Sequence, residues 1–308
     1  MQAMGERERM TGAPGPCIGQ TLSTALSIDH PMDLVMALAV ILIAALAGIV
    51  GSMFGIGGGV IIIPALTIAL GLPIKDAIGA SLIGVIASST GAASRYVGQG
   101  IVNIRLGMML EPATTIGSMV GAALAVYLNQ YVLSAIFAAV MFYSAYYMLR
   151  RPEVTIHGSE KCYDYLGCCY DDPLTGEKIA YTVRGLPKGL LASFFAGNMS
   201  GMLGVGGGIV KVPVMNMWMG VPIRAATATS NFMIGVTALA GAVVLYAHGL
   251  ISPVLAALVA VGVFAGASVG PRISRRAAGP MLRRYFAVIL IAVAVLMLLK
   301  ATGLEVGL

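Results

Sequence analysis

The chain has 308 residues, 58% of them hydrophobic and 10% charged, with a formal net charge of +6. Long apolar runs almost free of charge exclude a soluble domain of this size and make the chain an all-α polytopic membrane protein. The positive balance does not indicate nucleic acid, because Lys and Arg gather at the ends of the apolar runs, where they set orientation.

Residues 1–31 are polar and contain Gly and Pro, and read as a disordered leader. Apolar segments follow at about 33–53, 60–72, 77–97, 106–127 and 131–150, within a first membrane region at 32–151. A polar linker occupies 152–186. A second set lies at about 187–203, 209–220, 226–246, 253–271 and 281–300, within a region at 187–301, before a tail at 302–308. Most segments approach the roughly 20 residues that a helix needs to span a bilayer. The segments 60–72 and 209–220 do not, and read as half-helices or short spans.

Each short segment follows a run of glycines. Gly55-Ile56-Gly57-Gly58-Gly59 leads to Pro64, and Gly204-Val205-Gly206-Gly207-Gly208 leads to Pro213. Three adjacent glycines forfeit helix propensity at roughly 1 kcal/mol apiece, so each run breaks a helix. The two copies are 149 residues apart (213 − 64 = 149), and the same offset pairs Gly48 with Gly197, Pro73 with Pro222, Ser81 with Ser230 and Gly117 with Gly266. This register marks an internal duplication.

Loop charge relates the two halves. The loop at 128–130 has no Lys or Arg, whereas its counterpart at 271–284 has Arg272, Arg275, Arg276, Arg283 and Arg284. Repeats of the same orientation would put both loops on one side, against the positive-inside rule. The expectation is two inverted repeats, each of about four spans plus a short broken half-helix. The linker is then cytoplasmic and both termini lie outside; Lys75 is the exception to the charge rule. Within the linker, Tyr163–Tyr165 and Ala180–Val183 alternate like strands around turn-forming Asp171–Gly176, which predicts a small β-hairpin. His157, Cys162, Cys168 and Cys169 are poorly spaced for zinc. Reduced, partly buried thiols are expected instead, with no metal and no cofactor.

With the duplicated Gly-x-Gly-Gly-Gly-x-x-x-x-Pro motif and the Pro-x-x-x-Ala after each copy (Pro73 to Ala77, Pro222 to Ala226), the chain resembles the TauE/SafE family of sulfite exporters and toluene-sulfonate uptake permeases. The resemblance covers roughly residues 33–300. It implies a prokaryotic inner-membrane permease for small organic or sulfur-containing anions. It does not imply one substrate or one direction of transport.

The residues themselves suggest where an anion would bind. A half-helix starting after Gly59 or Gly208 points its N–H groups and positive dipole end inward, so Gly57, Gly58, Gly59, Gly206, Gly207 and Gly208 are candidate ligands. The alternative is that they only permit tight helix crossing. Lys211, whose counterpart is Ile62, lies in an apolar run, where a Lys costs about 2.5–3.5 kcal/mol. It is read as a binding residue, against a snorkelling alternative. Ser81, Asn198, Ser230 and Asn231 adjoin the breaks and could hydrogen-bond oxyanions or neighbouring helices. Glu111, followed by Pro112, reads as a proton-coupling carboxylate or as a structural partner for Lys211 or Arg95.

An intramembrane enzyme would need a nucleophile with a facing base. Ser200 is available, but His248 is predicted at an outer helix end, so no enzyme is expected. The sequence therefore reads as a secondary-active anion permease, with an anion channel as the alternative. Its expected partners are a small anionic substrate, the lipid bilayer and protons as coupling ion, with a homo-oligomer compatible and nucleic acid not.

Overall fold

The structure is a computed structural model that describes residues 34–150, 166–171, 178–277 and 280–301. It is helical apart from one two-stranded sheet. The elements are α1 (Leu34–Phe54), α2 (Gly59–Pro64), α3 (Ile74–Gly98), α4 (Ile104–Tyr127) and α5 (Gln130–Arg150), then β1 (Cys168–Asp171) and β2 (Lys178–Tyr181). The second set is α6 (Leu186–Leu203), α7 (Gly208–Met217), α8 (Ile223–Ala247), α9 (Pro253–Ala277) and α10 (Pro280–Ala301). Among the described residues, α1, α3, α4, α8 and the Pro253–Ile273 part of α9 are long and apolar enough to cross a membrane; shorter apolar stretches lie at 59–69, 130–146 and 290–300.

The duplication in sequence is also a duplication of elements. Helices α3 and α8 are offset by 149 residues at both ends (223 − 74 and 247 − 98). Both short helices begin at the last glycine of their motif, Gly59 and Gly208. In the first copy, Pro64 leads into a π-helical turn at Ala65–Ala69. The second copy keeps Pro213 inside a regular helix.

The packing exchanges partners between the two sets. Helix α1 packs on α9, and its counterpart α6 packs on α4; α3 packs on α8, and α5 on α10. Small residues make these contacts close, as expected where lipid removes the hydrophobic force between helices. On α1 the buried residues are Val40, Ala44, Ala47, Gly48, Gly51 and Ser52, while Leu34, Leu38, Leu42 and Leu46 face outward. Gly117 and Gly121 of α4 lie under the backbone of α6 at Phe194 and Asn198. In the equivalent place, Gly266 and Gly270 of α9 lie under α1 at Ala45 and Ile49. Contacts also give direction. Leu82 reaches Gly241 and Ser89 reaches Gly235 and Asn231, so α3 and α8, which are equivalent helices, run antiparallel across each other.

The hairpin forms with Asp171 opposite Lys178 and Cys168 opposite Tyr181. Its first strand therefore lies beyond the expected one at Tyr163–Tyr165, which falls outside the described residues. The register explains the shift: the Asp171–Lys178 pair aligns Tyr181 with Cys168 rather than with residue 165. The side-chain amide of Asn103, at the N-cap of α4, donates to Leu166 O (2.9 Å) and to the Tyr181 hydroxyl (3.2 Å). Burial pushes the Tyr181 hydroxyl well above the usual phenol range. Tyr170, Tyr181 and Val183 then share an apolar cluster with Leu106, Leu110, Val212, Met215 and Met219. Cys168 is free, whereas Cys169 is disulfide-bonded, which corrects the expectation of reduced thiols. His157 and Cys162 lie outside the described residues, and no metal-ligand cluster occurs among the described ones.

Helix α9 also runs further than expected, through Pro271 to Ala277. Arg272, Arg275 and Arg276 therefore sit on its last turns rather than in a loop. Arg is a good helix former and favours a helix C-terminus, so charge at this point does not end the helix.

Candidate functional site

Each break is a chain reversal built on positive-φ glycines. Gly55, Gly57 and Gly58 have φ of 74, 86 and 79°, and Gly204, Gly206 and Gly207 have 68, 81 and 70°. L-residues rarely adopt this conformation, so the turn depends on glycine. The first turn of α2 then doubles back beside the end of α1, with Gly58 against Ala47 and Gly51.

The two reversals pack directly on each other. A side chain on Gly59 would collide with the carbonyl of Gly204, and one on Gly208 with that of Gly55. A matched pair of hydroxyls ties the crossing. Ser81 of α3 donates to Gly204 O (2.8 Å), and its equivalent Ser230 of α8 donates to Gly55 O (3.0 Å). Asn231 donates to Ser52 O (3.0 Å), while its Oδ1 is buried without a hydrogen bond. Asn198 lies half-buried on α6, its backbone over Gly117 and Gly121.

The second copy carries a further, charged arrangement one turn beyond its break. The Lys211 amide donates to Gly207 O (3.1 Å), which fixes the side chain on the first turns of α7. Lys211 is only 2% exposed. Its Nζ donates to Thr237 Oγ1 of α8 (2.8 Å), and that hydroxyl donates to Glu111 Oε1 of α4 (2.7 Å). Lys211 Nζ lies 3.8 Å from Glu111 Oε2, an ion pair in which Oε2 accepts no hydrogen bond. Thr115 adds a long contact to Oε1 (3.4 Å), and Thr114 Oγ1 lies 3.4 Å from Thr237 Oγ1. Ser118 donates to Thr237 O (2.7 Å) and so holds α8 against α4 at this level. A cation, a carboxylate and several hydroxyls thus converge from three helices.

Of the residues singled out in the sequence, the structure brings Lys211 and Glu111 together and places Ser81, Ser230 and Asn231 at the crossed breaks. Arg95 sits half-buried in the last turn of α3; the ion pair of Glu111 is with Lys211. Thr237 went unread in the sequence. Its signal is spacing: it lies seven residues after Ser230, two turns along the same helix. His248 is exposed and its ring nitrogen contacts Val244 O, while the Ser200 hydroxyl on α6 is buried without a hydrogen-bond partner. A cavity of about 430 Å³ lies between the hairpin and the start of α4, lined by residues that include Asn103, Arg105 and Cys168, and it shares no residue with the Lys211 cluster.

The family model for sulfite exporter TauE/SafE matches residues 40–297. The chain is 28% identical to the "probable membrane transporter protein YunE" of Bacillus subtilis, over 77% of this chain and 88% of that protein. It is 25% identical to a probable membrane transporter protein of Methanocaldococcus jannaschii, over 84% of this chain and 94% of the other. A third such protein, from Haemophilus influenzae, is 25% identical over 84% of this chain and 97% of its own length. No solved structure gives a significant match.

Proposed function

We propose that this chain, which belongs to the sulfite exporter TauE/SafE family, is a secondary carrier for small sulfur-containing or organic anions such as sulfite, sulfonates or small carboxylates. Its cargo binds on Lys211 and Thr237, beside the crossed glycine breaks. One observation carries this reading: the site already holds a carboxylate. The groups that grip Glu111, a buried ammonium and a hydroxyl, are those that would grip an exogenous carboxylate or sulfonate. The N-terminus of α7 lies one turn away, and its dipole favours negative charge there. The names of the relatives agree on the class of membrane transporter and specify no substrate.

The two sets of helices are proposed to be inverted repeats in the inner membrane. Antiparallel packing of the equivalent helices α3 and α8 supports this, because a two-fold axis that reverses helices lies across them. The linker, flanked by Arg150, Arg151, Arg184 and Lys188, and the arginines after residue 271 then face the cytoplasm, with both termini outside. The breaks fall near mid-membrane, where irregular backbone is tolerated only when buried in protein or lining a cavity.

The test is uptake by proteoliposomes of the purified chain, with sulfite, methanesulfonate and short carboxylates as probes. Saturable uptake that Lys211→Ala abolishes without loss of membrane insertion supports the carrier. Unitary currents would make the protein a channel instead. Single cysteines at 128–130 and in 271–284 should label from opposite faces, and labelling from one face would overturn the inversion.

A further inference from the structure

The Lys211–Glu111 pair is held unequally. Glu111 Oε1 accepts from Thr237 and, at longer range, from Thr115. Oε2 stands 3.8 Å from the ammonium and accepts no hydrogen bond, although it is buried. A pair serving stability alone gains most when both oxygens are bound, because desolvation must be offset by geometry and hydrogen bonding. One free buried oxygen beside a lysine is a place where a proton can be added without breaking an existing bond. Pro112 follows Glu111 on α4 and, having no N–H, cannot donate to the carbonyl four residues earlier, at Met108.

We propose that Glu111 is the resident occupant of the anion site and that it leaves as a proton arrives. This rests on the reading that cargo binds at Lys211. The exchange balances in charge and atoms. A proton from water bonds to Oε2 of the Glu111 carboxylate, which becomes a neutral carboxylic acid. The incoming oxyanion replaces that carboxylate on Lys211, which keeps its proton throughout. One proton enters with each monovalent anion, and the charge in the site is unchanged. Thr237 serves both states, because its hydroxyl accepts from Lys211 and donates to whichever oxyanion is present.

The surroundings isolate this equilibrium. Helices α6, α7 and α8 surround Glu111; besides Lys211 they carry as formal charges only Lys188 and Arg224, each in the first turn of its helix. On α4 itself, Arg105 lies exposed six residues earlier. Tyr181 is tied to Asn103 beyond the same end. Lys211 is the cation that the structure pairs with Glu111.

The sign of the linkage follows. Binding takes up one proton in this exchange, so affinity is greatest at low pH and falls as pH rises, by about tenfold per pH unit for one linked proton. The experiment is calorimetry on the purified full-length chain in two buffers of different ionisation enthalpy, which counts protons. Methanesulfonate is the first probe, since its sulfonate stays ionised throughout; sulfite and short carboxylates follow. Wild type should take up about one proton per anion bound. Glu111→Gln should bind with no proton uptake and with an affinity that no longer depends on pH. Binding to wild type without proton uptake overturns the exchange and leaves the anion site standing. Failure of every probe to bind wild type and Glu111→Gln alike overturns the site itself, and the exchange with it. The wild-type proton count needs no variant, so it decides the matter even if Glu111→Gln fails to fold.

Discussion

The two glycine breaks share one backbone and differ in chemistry. Both reverse the chain on positive-φ glycines, both restart a helix at the last glycine, and each is held by a serine hydroxyl from the opposite set. Beyond the break they part. Where the second copy has Lys211, the first has Ile62; where it has Thr237, the first has Ser88. The positions equivalent to Glu111 and Thr114 are Ala260 and Val263. Ile62 is as deeply buried as Lys211, and the Ser88 hydroxyl is buried without a partner. The duplication is therefore an internal control. What both copies keep is what the crossing needs, and what only one has is where the proposed anion site lies.

The largest effect should come from giving the second copy the first copy's residue. Lys211→Ile leaves Glu111 as an unpaired buried charge, and losing one member of such a pair costs about 3–5 kcal/mol. Thermal unfolding in detergent should show a large drop in Tm. Adding Glu111→Ala and Thr237→Ser removes the other half of the pair and leaves a serine as in the first copy, and stability should return to near wild type, because replacing a whole buried pair with apolar groups is often neutral. Anion binding should be absent from both variants. A triple variant that stays as unstable as Lys211→Ile would mean that the charged cluster organises the fold and is not a separable site.

Much of the shared half of this comparison was legible in the sequence. Glycine runs and prolines leave marks that do not depend on tertiary contacts, so the start of each short helix and the 149-residue offset could be read directly. The charges Lys211 and Glu111 were legible as misfits in apolar runs. Their pairing was not, because Arg95 was an equally good partner until α4 packed on α8. Thr237 was invisible for the opposite reason: a single Thr in a membrane helix is ordinary. The bonds of Ser81 and Ser230 could not be foreseen without knowing that the breaks cross, because each serine donates to a carbonyl more than 100 residues away (204 − 81 = 123). The strand pair at 168–171 and 178–181 and the end of α9 could not be read from local alternation and charge, which do not report pairing or helix propensity.

A second prediction tests the shared backbone. Gly59→Ala and Gly208→Ala each place a methyl group against a carbonyl of the other break, and backbone cannot swing aside as a side chain can. Overpacking of this kind costs about 1–3 kcal/mol. Both variants should lose stability in this range and to a similar degree, read as Tm in detergent. A large loss at Gly208 with none at Gly59 would break the symmetry and make the second crossing the only tight one.

The smallest effect sharpens the comparison most. Ser81→Ala and Ser230→Ala each remove a neutral hydroxyl that donates to one glycine carbonyl. A neutral hydrogen bond contributes a net 0.5–1.5 kcal/mol or so, and the two positions are equally buried, so the losses should match within a few tenths. Thr237→Ala removes a hydroxyl from the same helix as Ser230, but one bonded to charged groups. Its stability cost should be somewhat larger, and it should also weaken anion binding, which neither serine variant should do by more than a few-fold. If Ser230→Ala alone weakened binding as strongly as Thr237→Ala, the cargo would reach the crossed breaks themselves, and the glycine reversal of the second copy would belong to the site as well as to the scaffold.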